Sequence, residues 1–134
     1  MIFFDPKHAW EFELRRKRGA HLFSKHRYLS AQMLGYLEND LWRDTAQTAN
    51  ARCARLAEGL RDVPGVNFTA TPQANMIFAT LPRAVHQRLH DAGARYEVHG
   101  PLEGPGDECL GMRLVVGWSV EDADIDRFVT IARG

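Results

Sequence analysis

Two cysteines, no internal repeat, no low-complexity tract and no surplus of charge: this sequence has little of what marks a specialised chain. Cys53 and Cys109 lie far apart without a metal or redox spacing, so they read as reduced intracellular thiols rather than a disulfide. Seventeen basic residues balance seventeen acidic ones, so no net field draws the chain to nucleic acid or to an anionic membrane. No apolar run approaches the ~20 residues of a bilayer-spanning helix, and no membrane partner is expected. The start, Met1-Ile2-Phe3-Phe4-Asp5-Pro6, lacks the basic and long apolar regions of a secretory signal, and the expected location is cytoplasmic. It reads instead like the end of a buried strand, with the expectation that something precedes it. The glycines between Gly100 and Gly106 do not open a helix after a strand, so they form neither a dinucleotide nor a P-loop fingerprint; a hairpin loop is expected. His86 and His90 stand at zinc-ligand spacing on one helix, but no glutamate or third ligand accompanies them. They read as surface histidines, with no metal site. No Ser/His/Asp or Cys/His constellation can be assembled.

What is present is periodicity. Asp5 and Pro6 open a helix that runs to about Lys17 and ends at Gly19. A second helix runs from Ser24 or Lys25 to Glu38, with Leu29, Met33, Leu34 and Leu37 on one face, and Asn39-Asp40 breaks it. A third runs from Leu41 to Asp62 along Trp42, Ala46, Ala49, Cys53, Leu56, Ala57 and Leu60, and Pro64-Gly65 stops it. The second half alternates differently. Strands are expected at 66–69, 75–81, 95–98 and 111–118. Pro82 opens a helix between the second and third strands. Ser119, with Asp122 three residues on, caps a last helix. The largely apolar run 75–81 reads as a central strand covered on both faces. The fold class is α+β: three N-terminal helices, then a β-β-α-β-β-α small domain whose mostly antiparallel sheet carries helices on one face. The division is expected at 1–63 and 64–134.

Two features carry chemistry. Gly111-Met112-Arg113-Leu114-Val115-Val116-Gly117-Trp118 is an apolar strand with one arginine in it. Alternation sets Arg113 opposite Met112, Leu114 and Val116. A guanidinium forks onto a carboxylate through two parallel hydrogen bonds, so the position suits a carboxylate ligand. The plain alternative is an arginine on a solvated sheet face. Arg15-Arg16-Lys17-Arg18 with Lys25, His26 and Arg27 forms a basic stretch, which suits phosphate or, as a third option, nucleic acid at residues 15–27; a solvated helix end is the plain alternative. The stretch runs into a helix start, whose free N–H groups add to an anion site at Ser24 and Lys25.

Together, Phe3-Phe4-Asp5-Pro6, Arg15-Arg16-Lys17-Arg18-Gly19, His21-Leu22-Phe23-Ser24-Lys25-His26-Arg27, Ala31-Gln32-Met33-Leu34, Ala74-Asn75-Met76-Ile77-Phe78 and Arg113-Leu114-Val115-Val116 resemble the C-terminal part of low-specificity threonine aldolases. These belong to the aromatic amino acid beta-eliminating lyases of fold-type-I pyridoxal-phosphate enzymes. The resemblance covers essentially the whole chain. It implies a lyase that cleaves β-hydroxy-α-amino acids to glycine and an aldehyde, with pyridoxal phosphate as cofactor, an amino-acid substrate and a homo-oligomeric assembly. It implies Arg113 as the binder of the substrate carboxylate, with Val116-Gly117 where the family usually has threonine and its neighbour. It implies Lys25 near the cofactor phosphate, although the family usually shows glycines where this chain has Ala20 and Phe23. The lysine that holds the cofactor covalently lies, in the family, shortly before the Phe-Phe-Asp-Pro stretch. Lys7, Lys17 and Lys25 do not stand in that context, so no catalytic residue is assigned. The chain alone is expected to be inactive. A non-catalytic interaction or carboxylate-binding module from a truncated paralogue is the alternative.

Overall fold

The computed structural model describes residues 4–134. The expected strand-like start falls largely on residues 1–3, outside the described residues; Phe4 lies in a bend and is fully exposed. The chain forms two compact units, one up to Leu41 and one from Trp42 onward.

In the first unit, α1 spans Lys7–Arg18 and α2 spans His26–Leu37. The Asp5 carboxylate accepts the Lys7 N–H at 3.0 Å, satisfying one of the open donors at the start of α1. Four cations fill the last turn of α1, where they complement the helix dipole. The left-handed residue after α1 is Ala20 (φ 57°), while Gly19 keeps φ −77°. Holding alanine there costs roughly 1 kcal/mol that glycine would not incur. Asn39 and Asp40 also take positive φ and break the chain between α2 and α3, as their side chains tolerate. Neither α1 nor α2 contributes a buried residue, and Leu29, Met33, Leu34 and Leu37 stay exposed.

The second unit is built on a sheet. Helix α3 spans Leu41–Leu60, β1 Asn67–Phe68, β2 Met76–Pro82, α4 Arg83–Asp91, β3 Glu97–His99, β4 Cys109–Val115 and α5 Asp122–Arg133. All pairings are antiparallel, in the order β1-β2-β4-β3. Ile77, Ala79 and Leu81 of β2 and Met112 and Leu114 of β4 point to one side. Cys53, Leu56, Ala57 and Leu60 of α3, Val85 and Leu89 of α4, and Ile125, Val129 and Ala132 of α5 join them in a single core. The α+β reading and the helix-covered face therefore hold.

Three expectations are corrected. The division at residue 63 would detach α3 from the sheet, but its apolar stripe is part of the sheet's core and the units divide before it. The run 75–81 is central yet covered on one face only; Met76 and Phe78 alternate with buried neighbours and remain exposed. Helix α5 is capped at Glu121 rather than Ser119, with no side-chain cap; Asp122 and Asp124 in its first turn favour the dipole instead.

Arg83 is buried in this unit, at 3% exposure. It donates to the carbonyls of Pro101 (3.2 Å) and Pro105 (2.6 Å) and pairs with Glu108 at 2.8 Å. Gln87 adds a bond to the Leu102 carbonyl at 2.6 Å. One helix thus pins the Gly/Pro-rich loop between β3 and β4. A Cβ at Gly104 would lie 2.7 Å from the Arg83 guanidinium, and its φ of +125° also demands glycine. Arg83→Ala orphans two carbonyls and should cost about 2–4 kcal/mol. Urea unfolding should show that loss, and cleavage after Glu103 by a glutamate-specific protease should accelerate.

Candidate functional site

Arg113 lies on the open face of the sheet, as alternation requires. Its register partners are Phe78 on β2 and Glu97 on β3. Directly opposed side chains on antiparallel strands come within ~5 Å of one another. The guanidinium accordingly meets the Glu97 carboxylate in an ion pair, with both side chains 46% exposed. The other Glu97 oxygen faces His99 Nε2 at 3.3 Å. Met76, Phe78 and Val115 surround the pair on the same open face, each more than a third exposed. Arg113 is therefore a reachable cation in an apolar setting, already holding one carboxylate.

Beside this pair the sheet edge opens. Strand β3 begins at Glu97, so the preceding Ala94-Arg95-Tyr96 does not continue the ladder along Leu114–Val116. A cleft of about 360 Å³ results. Tyr96, Leu114, Val116, Ile125 and Phe128 give it apolar walls; Arg95, Glu97, Arg113 and Asp124 are its charged lining. A carboxylate ligand with a compact apolar body matches this combination.

Lys25 sits at the N-cap of α2, in the first unit, with no side-chain hydrogen bond to the helix. No acidic residue stands in the first turn of α2. Arg27 lies over the Tyr28 ring at 5.0 Å, and His26 meets Phe23 edge-on at 6.0 Å. Arg15 is paired with Glu11 at 2.7 Å. Lys25 and Arg113 belong to different units.

The two histidines are not a surface pair. His86 is fully buried, with Nδ1 2.9 Å from the Tyr96 hydroxyl and Nε2 3.2 Å from the Leu110 carbonyl. A carbonyl only accepts, so Nε2 carries the hydrogen and Nδ1 accepts from Tyr96. His90 packs against the Tyr96 ring at 4.9 Å and is half-buried. Among the described residues no group of three or more His, Cys, Asp or Glu side chains is placed to hold a metal. Sequence reasoning missed the burial of His86 and Arg83. The available signal was their i, i+3 spacing on a helix with few apolar residues, whose inward stripe has to be completed by polar groups.

No protein-family model matches the sequence. Along 99% of its length the chain is 37% identical to a low-specificity L-threonine aldolase of Pseudomonas aeruginosa. Along 93% it is 33% identical to a low-specificity L-threonine aldolase of a Pseudomonas species. The chain spans about a third of the length of these curated relatives, 36% and 34%. Among solved structures, a threonine aldolase from Leishmania major superposes with a TM-score of 0.67 at 21% identity, over 81% of this chain and 30% of that one. A glycine decarboxylase P-protein of the glycine cleavage system superposes at 0.60 with 22% identity, over 77% of this chain and 24% of that one. At these identities the structural likeness concerns the fold. The sequence likeness is to part of a threonine aldolase.

Burial holds the His86 imidazole below its ordinary 6.5, and repulsion from His90 adds to this. The unfolded chain then binds a proton near pH 6 that the folded chain refuses, so stability rises with pH in that window. His86's contribution is complete above about pH 6.5 and is lost as pH falls from there toward the depressed folded value. The urea midpoint should therefore be lower at pH 5.5 than at pH 7.5. His86→Gln, which cannot titrate, should narrow that difference.

Proposed function

We propose that these residues act as the C-terminal part of a pyridoxal-phosphate-dependent lyase of the threonine aldolase kind, which cleaves β-hydroxy-α-amino acids to glycine and an aldehyde. The observation that carries the reading is the 37% identity to a low-specificity L-threonine aldolase along 99% of the chain. The chain's share of the work is binding and orientation. Arg113 grips the substrate α-carboxylate: it is half-exposed, fixed by cross-strand pairing, and planar in the way a two-pronged carboxylate contact needs. Holding that carboxylate fixes the rest of the substrate relative to the sheet, which is how a positioning residue lowers a barrier.

The donor set at the start of α2 fits the phosphate end of the cofactor. Lys25 offers a strongly hydrated point charge, and the first N–H groups of the helix point outward without a side-chain cap. Bound pyridoxal phosphate supplies the electron sink that makes cleavage beside the α-carbon accessible. None of the lysines Lys7, Lys17 and Lys25 is assigned as its covalent anchor, so the 134 residues alone should be inactive.

The reading is tested by replacing the matching portion of the Pseudomonas aeruginosa relative with this chain and following glycine release from L-threonine. Cleavage by the graft is the expected result, and a folded, cofactor-loaded graft without cleavage counts against the proposal. In that graft Arg113→Ala should raise KM tenfold or more, since a charge-assisted contact contributes roughly 1.5–3 kcal/mol. Arg113→Lys should recover part of the loss, because an ammonium cannot fork onto both oxygens. Separately, mixing the 134-residue chain with pyridoxal phosphate and borohydride should leave no single lysine stoichiometrically labelled.

A further inference from the structure

Arg113 does not wait for its ligand with an open guanidinium. Glu97 stands directly opposite it in the register of β3 and β4, and the two side chains form an ion pair. We infer that Glu97 is an internal occupant of the carboxylate site, which an incoming carboxylate must displace, and that it thereby sets the affinity of the site. This rests on the reading of Arg113 as the carboxylate binder.

Three observations support displacement rather than permanent closure. Both partners are 46% exposed, so a ligand can reach the guanidinium without unfolding the strand pair. Exposed pairs of this kind are held weakly, because each charge keeps much of its hydration. Glu97 also has an alternative partner, since His99 Nε2 lies 3.3 Å from its second oxygen. A carboxylate leaving Arg113 can therefore stay hydrogen-bonded on the same strand.

Glu97 acts in two ways. It occupies the donors that the ligand needs, and its charge repels a second carboxylate approaching the same cation. Removing the charge while keeping the shape should relieve both. Val115, which shares the open face with Arg113 and also lines the neighbouring cleft, offers apolar contact to the body of a ligand held this way. Glu97 thus sets the strength of the site: as an internal competitor it weakens every incoming carboxylate by the same factor, and only a ligand with further contacts of its own binds appreciably against it.

The test uses the 134-residue chain, isotope-labelled for NMR of arginine Nε–H groups, titrated with 3-phenylpropanoate at constant ionic strength. Its neutral amide, 3-phenylpropanamide, is the control. Glu97→Gln should bind the carboxylate about fivefold or more tightly than the unaltered chain, with the Arg113 Nε–H signal shifting, and should leave amide binding unchanged. Acetate should gain by about the same factor as 3-phenylpropanoate from the same substitution. If Glu97→Gln binds the carboxylate no more tightly than the unaltered chain, the occupant role is overturned. If Glu97→Gln binds tightly and the Glu97→Gln, Arg113→Ala double variant binds equally well, the underlying assignment of Arg113 fails instead. A thermal unfolding midpoint for Glu97→Gln within a few degrees of the unaltered chain confirms that the readout is binding and not fold.

Discussion

The pairing of β2 with β4 is the constraint on which the rest of the second unit depends. Ile77 faces Leu114, Ala79 faces Met112 and Leu81 faces Leu110, so one side of the ladder is continuously apolar and buried. Three helices cover that side, and Ile77, Ala79, Leu81, Leu110, Met112 and Leu114 are all buried. The same pairing assigns Phe78 and Arg113 to the other side. The buried core and the outward placement of Arg113 are therefore two consequences of one register. Burial of the apolar set, at about 25 cal/mol per Å², far outweighs the weak exposed ion pairs of the open face. The fold fixes where the arginine stands; the arginine does little to fix the fold.

Charged side chains do two kinds of work in this unit. Arg83 is buried and gives its donors to backbone carbonyls of a loop, so it acts as a strut. Arg113 is half-exposed and pairs with the equally exposed carboxylate of Glu97 on the neighbouring strand. Arg55 and Arg133 form a third, peripheral set: Arg55 of α3 pairs with Asp126 of α5, and Arg133 of α5 reaches Asp62, just past the end of α3. Exposure separates these roles: a desolvated guanidinium is costly to move, whereas a hydrated one exchanges partners readily.

Much of this was legible in the sequence because apolar strands and helix stripes announce themselves by period. The element order, the antiparallel sheet and the outward direction of Arg113 all follow from alternation and from turn residues such as Pro64-Gly65. The open face of β2 was not legible: Met76 and Phe78 are as apolar as Ile77, so hydropathy shows no alternation where exposure does. Helix α1 ends at Gly19 as its sequence suggests, although the positive φ falls one residue later, on Ala20. The pairing of Glu97 with Arg113 could not be found from sequence, because it depends on which residue of β4 Glu97 faces. The grouping of α3 with the preceding helices failed because helix periodicity reveals a buried stripe without revealing what buries it.

Helices α3 and α5 meet at a glycine. A Cβ at Gly59 would lie 2.7 Å from a Val129 methyl, closer than two carbons can pack. The two positions share one volume, and neither can change size freely. A lineage that enlarges residue 59 has to shrink residue 129, and the order of the two steps matters, because the enlarged intermediate is strained while the reduced one only leaves a void. Among relatives of this chain, positions 59 and 129 should therefore behave as a single inherited character, changing together or not at all.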